Sequence, residues 1–107
     1  MQDELEFRRL VETALNDLKK HLIEREEEAE AGFEVEEQGG FLNVLFDDPP
    51  GKFVVTPNTP VRQIWISALS TSFKLDWEAR TEKFVLPRTG EGLVVLVDRL
   101  IGEHLTQ

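Results

Sequence analysis

A chain of 107 residues with 21 Asp plus Glu against 12 Lys plus Arg carries a formal charge of −9, the wrong sign for gripping nucleic-acid phosphates or an anionic membrane surface. It has no cysteine, which excludes disulfides, thiolate catalysis, Cys-ligated zinc and any Fe–S cluster held by its own thiols. The length fits one domain, residues 1–107, around one core, and cations or basic protein surfaces are the natural partners of such a charge.

The opening Met1-Gln2-Asp3-Glu4 is acidic, unlike the basic start of a secretory or mitochondrial leader. Phe7, Leu10, Val11, Ala14, Leu15, Leu18 and Leu22 then recur at spacings of three and four. They predict one apolar stripe on a helix from about Asp3 to Glu27. Gly32 breaks it, and the period falls to two. Phe33 to Gln38 reads as a strand and Gly39-Gly40 as a turn. Phe41 to Phe46 is a second strand, with Leu42, Val44 and Phe46 on one face.

Asp47-Asp48-Pro49-Pro50-Gly51 is a dense turn signal, and Lys52 to Thr56 runs back as a third strand. Pro57 and Pro60 bracket a connection. Val61 to Ser67 follows with Ile64 and Ile66 inward, then two short strands, Phe73 to Trp77 and Lys83 to Leu86. After Gly90 the helical period returns in Leu93, Leu96, Val97, Leu100, Ile101 and Leu105. Its longest apolar run, Leu93 to Val97, is far too short to span a bilayer, so a cytoplasmic protein is expected. Helix, antiparallel strands, helix: the fold class is α+β, a two-layer α/β sandwich. Its N- and C-terminal helices cover one face of the sheet, and the other face is open to solvent.

Two features stand out. From Glu24 to Glu37 there are eight glutamates (Glu24, Glu26, Glu27, Glu28, Glu30, Glu34, Glu36, Glu37) against one base, Arg25. Carboxylate oxygens suit hard cations, yet an acidic run is also the ordinary composition of a solvated face. Negative charge at a helix C-terminus opposes the macrodipole at a cost of about 0.3–1 kcal/mol per charge, so the cluster invites a functional reason. The second feature is Trp65. Its parity is outward, shared with Gln63 and Ser67, and neighbouring strands would add Phe41, Asn43, Leu45, Val54 and Thr56 to that face. An aromatic among polar and small apolar groups is the composition of a protein interface; the alternative is a Trp covered by a loop of its own chain. His21 and His104 read as helix-boundary residues, and Asp76-Trp77 as the close of a strand. No Gly-x-Gly-x-x-Gly, P-loop, nucleophile elbow or His-Glu-x-x-His pair is present.

Thr59-Pro60-Val61-Arg62-Gln63-Ile64-Trp65-Ile66-Ser67 resembles the Thr-Pro-x-x-Gln-Ile-Trp-Leu-Ser signature of the frataxin family. Gly40-Phe41-Leu42-Asn43-Val44 is similar to that family's Gly-Val-Leu-Thr-Val strand. Asp76-Trp77 and Phe84-Val85-Leu86 before a terminal helix also fit, so the resemblance covers nearly the whole chain. It implies an iron-binding accessory of iron–sulfur cluster assembly, monomeric and not an enzyme, that docks on the cysteine desulfurase and its complex with the scaffold protein. Iron, Fe2+ or Fe3+, would be held weakly on the surface without any organic cofactor. The family's acidic ridge falls here on Glu24, Glu26, Glu27, Glu28, Glu30, Glu34 and Glu36, with Asp17. Its sheet contact falls on Gln63 and Trp65, and Asn43, Thr56 and Lys74 complete the expected partner-binding set. Ferroxidase activity, or an acidic adaptor without iron, is the alternative. The sequence departs from bacterial relatives at Arg8, where they can carry a His, and from eukaryotic members at Thr56-Pro57, where they have Asn-Lys.

Overall fold

Every change of period in the sequence becomes a change of element in the computed structural model, which describes residues 3–28 and 30–106. Met1 and Gln2 of the acidic opening lie outside those residues. Helix α1 spans Glu4–Glu26. Asp3 caps it by accepting the Glu6 N–H at 2.8 Å, and Glu4 and Glu6 place negative charge in the first turn, where the dipole favours it. Its buried stripe is Phe7, Val11, Leu15, Leu18 and Leu22.

Six strands follow: β1 Phe33–Gln38, β2 Phe41–Asp47, β3 Pro50–Asn58, β4 Gln63–Ala68, β5 Thr71–Glu78 and β6 Lys83–Val85. They pair antiparallel in chain order, β1-β2-β3-β4-β5-β6. Helix α2, Leu93–Leu105, closes the chain.

Two expectations need adjusting. β3 is longer than Lys52 to Thr56, because Pro50 already pairs with Asp47 and Pro57 still lies opposite Ile64. Val61 is not in a strand. A short 3-10 turn, Thr59–Val61, takes up the connection, and Arg62 ends it in the left-handed region at φ 56. Pro60, with its fixed φ, suits that turn, and β4 starts only at Gln63.

The inward residues of the strands are those of the predicted parity. Leu42, Val44, Val55, Ile64, Ile66 and Leu75 are all 1% exposed or less, and each contributes about 1.5–3 kcal/mol by leaving water. The helices lie over this face. Phe7 of α1 meets Phe84 of β6 edge to face at 5.9 Å, and Trp77 packs on Phe84 at 5.2 Å. Helix α2 runs alongside α1 in the same direction: Asp98 sits between His21 and Arg25, and Leu105 lies over Gly32. A Cβ at Gly32 would stand 2.9 Å from Leu105 Cδ2, and its φ of +83 favours glycine independently.

Neither histidine is a mere boundary residue. His104 is 3% exposed and its ring lies 4.2 Å from that of Phe46. Nε2 donates to the Pro49 carbonyl at 2.7 Å, which leaves Nδ1 buried without a partner. Gly51 permits this fit, since a Cβ there would come within 2.9 Å of the imidazole. His21 instead joins Arg25 in holding Asp98, at 2.8 and 2.7 Å, and so ties the two helices together.

Candidate functional site

Alternation along the strands leaves a second set of side chains on the sheet face away from the helices. Trp65 stands there between Thr56 of β3 and Lys74 of β5, and in the next row Gln63 lies between Asn58 and Asp76. The Trp65 indole N–H donates to Gln63 Oε1 at 2.8 Å. The Gln63 amide in turn donates from Nε2 to Asp76 Oδ1 at 2.8 Å. Lys74 places its ammonium 4.9 Å from the Trp65 ring centroid, within cation–π range. Trp65 is half-buried among these neighbours.

Four of the five expected partner-binding residues therefore sit in two adjacent rows: Thr56, Gln63, Trp65 and Lys74. Asn43 does not join them as a contact. It pairs with Glu36 and Val54 on the outward parity but is only 2% exposed, with Oδ1 buried and unpartnered. Parity gives the side of a sheet, whereas the bulk of the flanking side chains decides exposure. Asp76 is the residue that sequence reasoning missed. Parity puts Asp76 on the face of Lys74, but only the β4–β5 register sets it opposite Gln63.

The acidic residues divide into three groups. Glu24, Glu27 and Glu28 are exposed at the end of α1, and Glu30 is exposed beyond it with φ 61. Glu34 and Glu36 are exposed on β1 opposite Leu45 and Asn43, hence on the Trp65 side of the sheet. Glu26 and Glu37 are engaged between helix and strand. Glu26 accepts the Val35 N–H at 3.0 Å, and Glu37 pairs with Lys19 at 2.8 Å. Asp17 is apart from all of these, on the flank of α1 that faces Lys83, Val94 and Val95 across a groove of about 370 Å³.

Among the described residues, no three of His, Cys, Asp and Glu converge as a metal chelate. What the residues offer is a rim of solvated carboxylates, a donor set for a hard cation that keeps most of its water. Arg8 pairs with Glu4 at 2.8 Å on the surface of α1. It lines a concavity of about 550 Å³ between α1 and the Gly39-Gly40 turn.

Residues 1–107 match the model of the frataxin-like domain. The iron–sulfur cluster assembly protein CyaY of Azotobacter vinelandii is 26% identical over 95 residues, covering 85% of this chain and 86% of that one. Its namesake from Ralstonia pickettii is 28% identical over 101 residues, covering 94% and 87%. In fold the chain is similar to a frataxin from Psychromonas ingrahamii, at a TM-score of 0.76 and 20% identity, over 99% of this chain and 94% of that one.

Proposed function

The chain belongs to the frataxin-like family, and from that premise we propose that it is an accessory protein of iron–sulfur cluster assembly. It acts by binding rather than by catalysis. Relatives named for that process support the pathway, and the chemistry of the surface supports the mode of action. The observation that carries the reading is the Trp65 face. A half-buried indole whose N–H is satisfied within the chain and whose ring is flanked by a cation is suited to a protein contact, since aromatic anchors dominate interface energies.

The partners in this reading are the cysteine desulfurase and the scaffold protein, in the cytoplasm. The Trp65 face provides the specific contact. Glu34 and Glu36 on the same side, with Glu24, Glu27, Glu28 and Glu30 beyond the rim, draw a basic partner surface by long-range attraction. Iron is cargo in this scheme. The exposed carboxylates suit Fe2+ or Fe3+ held loosely and released easily, and the scattered donor set supports weak association over an enclosed site. The adaptor reading differs only in this step, and anaerobic calorimetry with Fe(II) separates the two.

The direct test is a pull-down with the desulfurase–scaffold complex of the same host, followed by titration. Trp65→Ala is expected to weaken binding by about 2 kcal/mol or more while the fold stays intact. Wild-type affinity in that variant refutes the Trp65 face as the contact.

A further inference from the structure

Resting on the docking reading above, we propose that Asp76 is a positioning residue: through Gln63 it sets the pose in which Trp65 is offered to the partner. The argument is one of donors and acceptors. An indole N–H can only donate and an ionised carboxylate can only accept. A glutamine amide placed between them has one orientation that satisfies both ends, Oε1 toward Trp65 and Nε2 toward Asp76. That is the arrangement present, with both bonds at 2.8 Å.

Without an acceptor at position 76, the Gln63 amide can turn over. The indole N–H would then face an NH2 group, and the ring would lose the bond that fixes its edge. Lys74, directly opposite Trp65 in the register, holds the ring from another direction, but attraction to a ring face does not choose the direction of the N–H. Asp76 makes that choice through Gln63. An anchor ordered before binding spares the entropy of ordering it at the interface. The relay is exposed at its Asp76 end, so it tunes the contact rather than holding up the fold.

The test uses the whole chain with Asp76→Ala and Asp76→Asn. The indole N–H resonances of 15N-labelled protein are followed by NMR, with Trp65 distinguished from Trp77 by its loss in Trp65→Phe. Affinity is measured for the purified desulfurase–scaffold complex. Asp76→Ala is expected to shift the Trp65 indole resonance, speed its hydrogen exchange and weaken binding by about threefold to tenfold, the range for one side chain left to be ordered. Asp76→Asn keeps an acceptor oxygen and should restore both readouts.

A Trp65 indole unmoved in Asp76→Ala overturns the inference, whatever the docking result. So does a freed indole in a variant that binds like wild type when Trp65→Ala does not. Weak binding by Asp76→Asn with a wild-type indole makes Asp76 a direct charge contact and overturns it too. If Trp65→Ala itself binds normally, the docking reading falls, and the indole resonance alone then judges the relay.

Discussion

Ile64 and Trp65 are neighbours in the chain and occupy opposite faces of one strand. Ile64 is 0% exposed beneath the helices. Trp65 rests half-buried on the far face among Thr56, Gln63 and Lys74. The helix-side face is closed mainly by apolar contact. The far face is organised by directional bonds, from Trp65 to Gln63 to Asp76 and from Lys74 to the ring. Apolar burial is tolerant of direction and supplies stability, whereas a hydrogen-bonded aromatic is fixed in orientation and suits recognition. A single alternation thus sorts the two tasks.

The largest expected effect tests this division directly. Ile64→Ala should lose about 2–5 kcal/mol of folding stability, the cost of a cavity in a closed core. Trp65→Ala should unfold at nearly the wild-type urea midpoint and lose its effect only in partner binding. Equal losses of stability would erase the distinction between the faces.

A second comparison sets the free carboxylates against the engaged ones. Glu24→Gln, Glu27→Gln and Glu28→Gln together remove charge from the unfavourable end of the α1 dipole. The triple variant should melt higher by roughly 5 °C and be stabilised less by Fe(II) than the wild type. The wild type should gain about 2.7 kcal/mol at a hundred times the dissociation constant of one site. Anaerobic thermal melts with and without Fe(II) check both. An equal iron shift in the two proteins would reduce the rim to solvated charge.

Glu26 should behave in the opposite sense to its neighbours. Glu26→Ala removes the acceptor of the Val35 N–H and is expected to lower stability by about 1 kcal/mol. Chemical denaturation measures it. A stabilising Glu26→Ala would place Glu26 with the free group after all.

The smallest effect lies off both faces and gives the baseline for exposed charge. Arg99 donates to Glu91 through Nε at 2.6 Å and Nη2 at 2.9 Å. These bonds, with a further one from Thr89, hold the Glu91 carboxyl below its ordinary value of 4.5. A depressed carboxyl stabilises the fold fully above the ordinary value, and that contribution disappears as pH falls through the lowered one. The stability difference between wild type and Glu91→Gln should therefore be level at neutral pH and shrink under acid, in urea midpoints taken across a pH series. A difference independent of pH would assign the effect to something other than the charge.

Much of this division was legible in the sequence, because the period-two pattern carries the parity of Ile64, Trp65 and Leu75 directly. Side-chain reach was not. Asn43 has the same outward parity as Trp65 yet is covered. Glu26 reads like any glutamate of its run until β1 brings the Val35 amide to it. His104 reads as a helix-boundary residue, since its surroundings, Phe46 and the Pro49 carbonyl, come from a hairpin more than fifty positions earlier. The bond from Gln63 to Asp76 depends on the β4–β5 register, which no local pattern reports. In each case the missing fact is a contact between residues distant in the chain.

The first strand has a consequence for how copies of the protein meet. β1 is one margin of the sheet, and a bare strand margin invites another chain to add to it. Here the Val35 amide is occupied by Glu26, and Glu34 and Glu36 put repelling charges along the same strand. At the other margin β6 is only three residues long, and Val85 is already bridged to Gly92. Edge-to-edge growth is therefore opposed at both margins. The carboxylates that could draw a basic partner would also repel the same strand of an identical molecule.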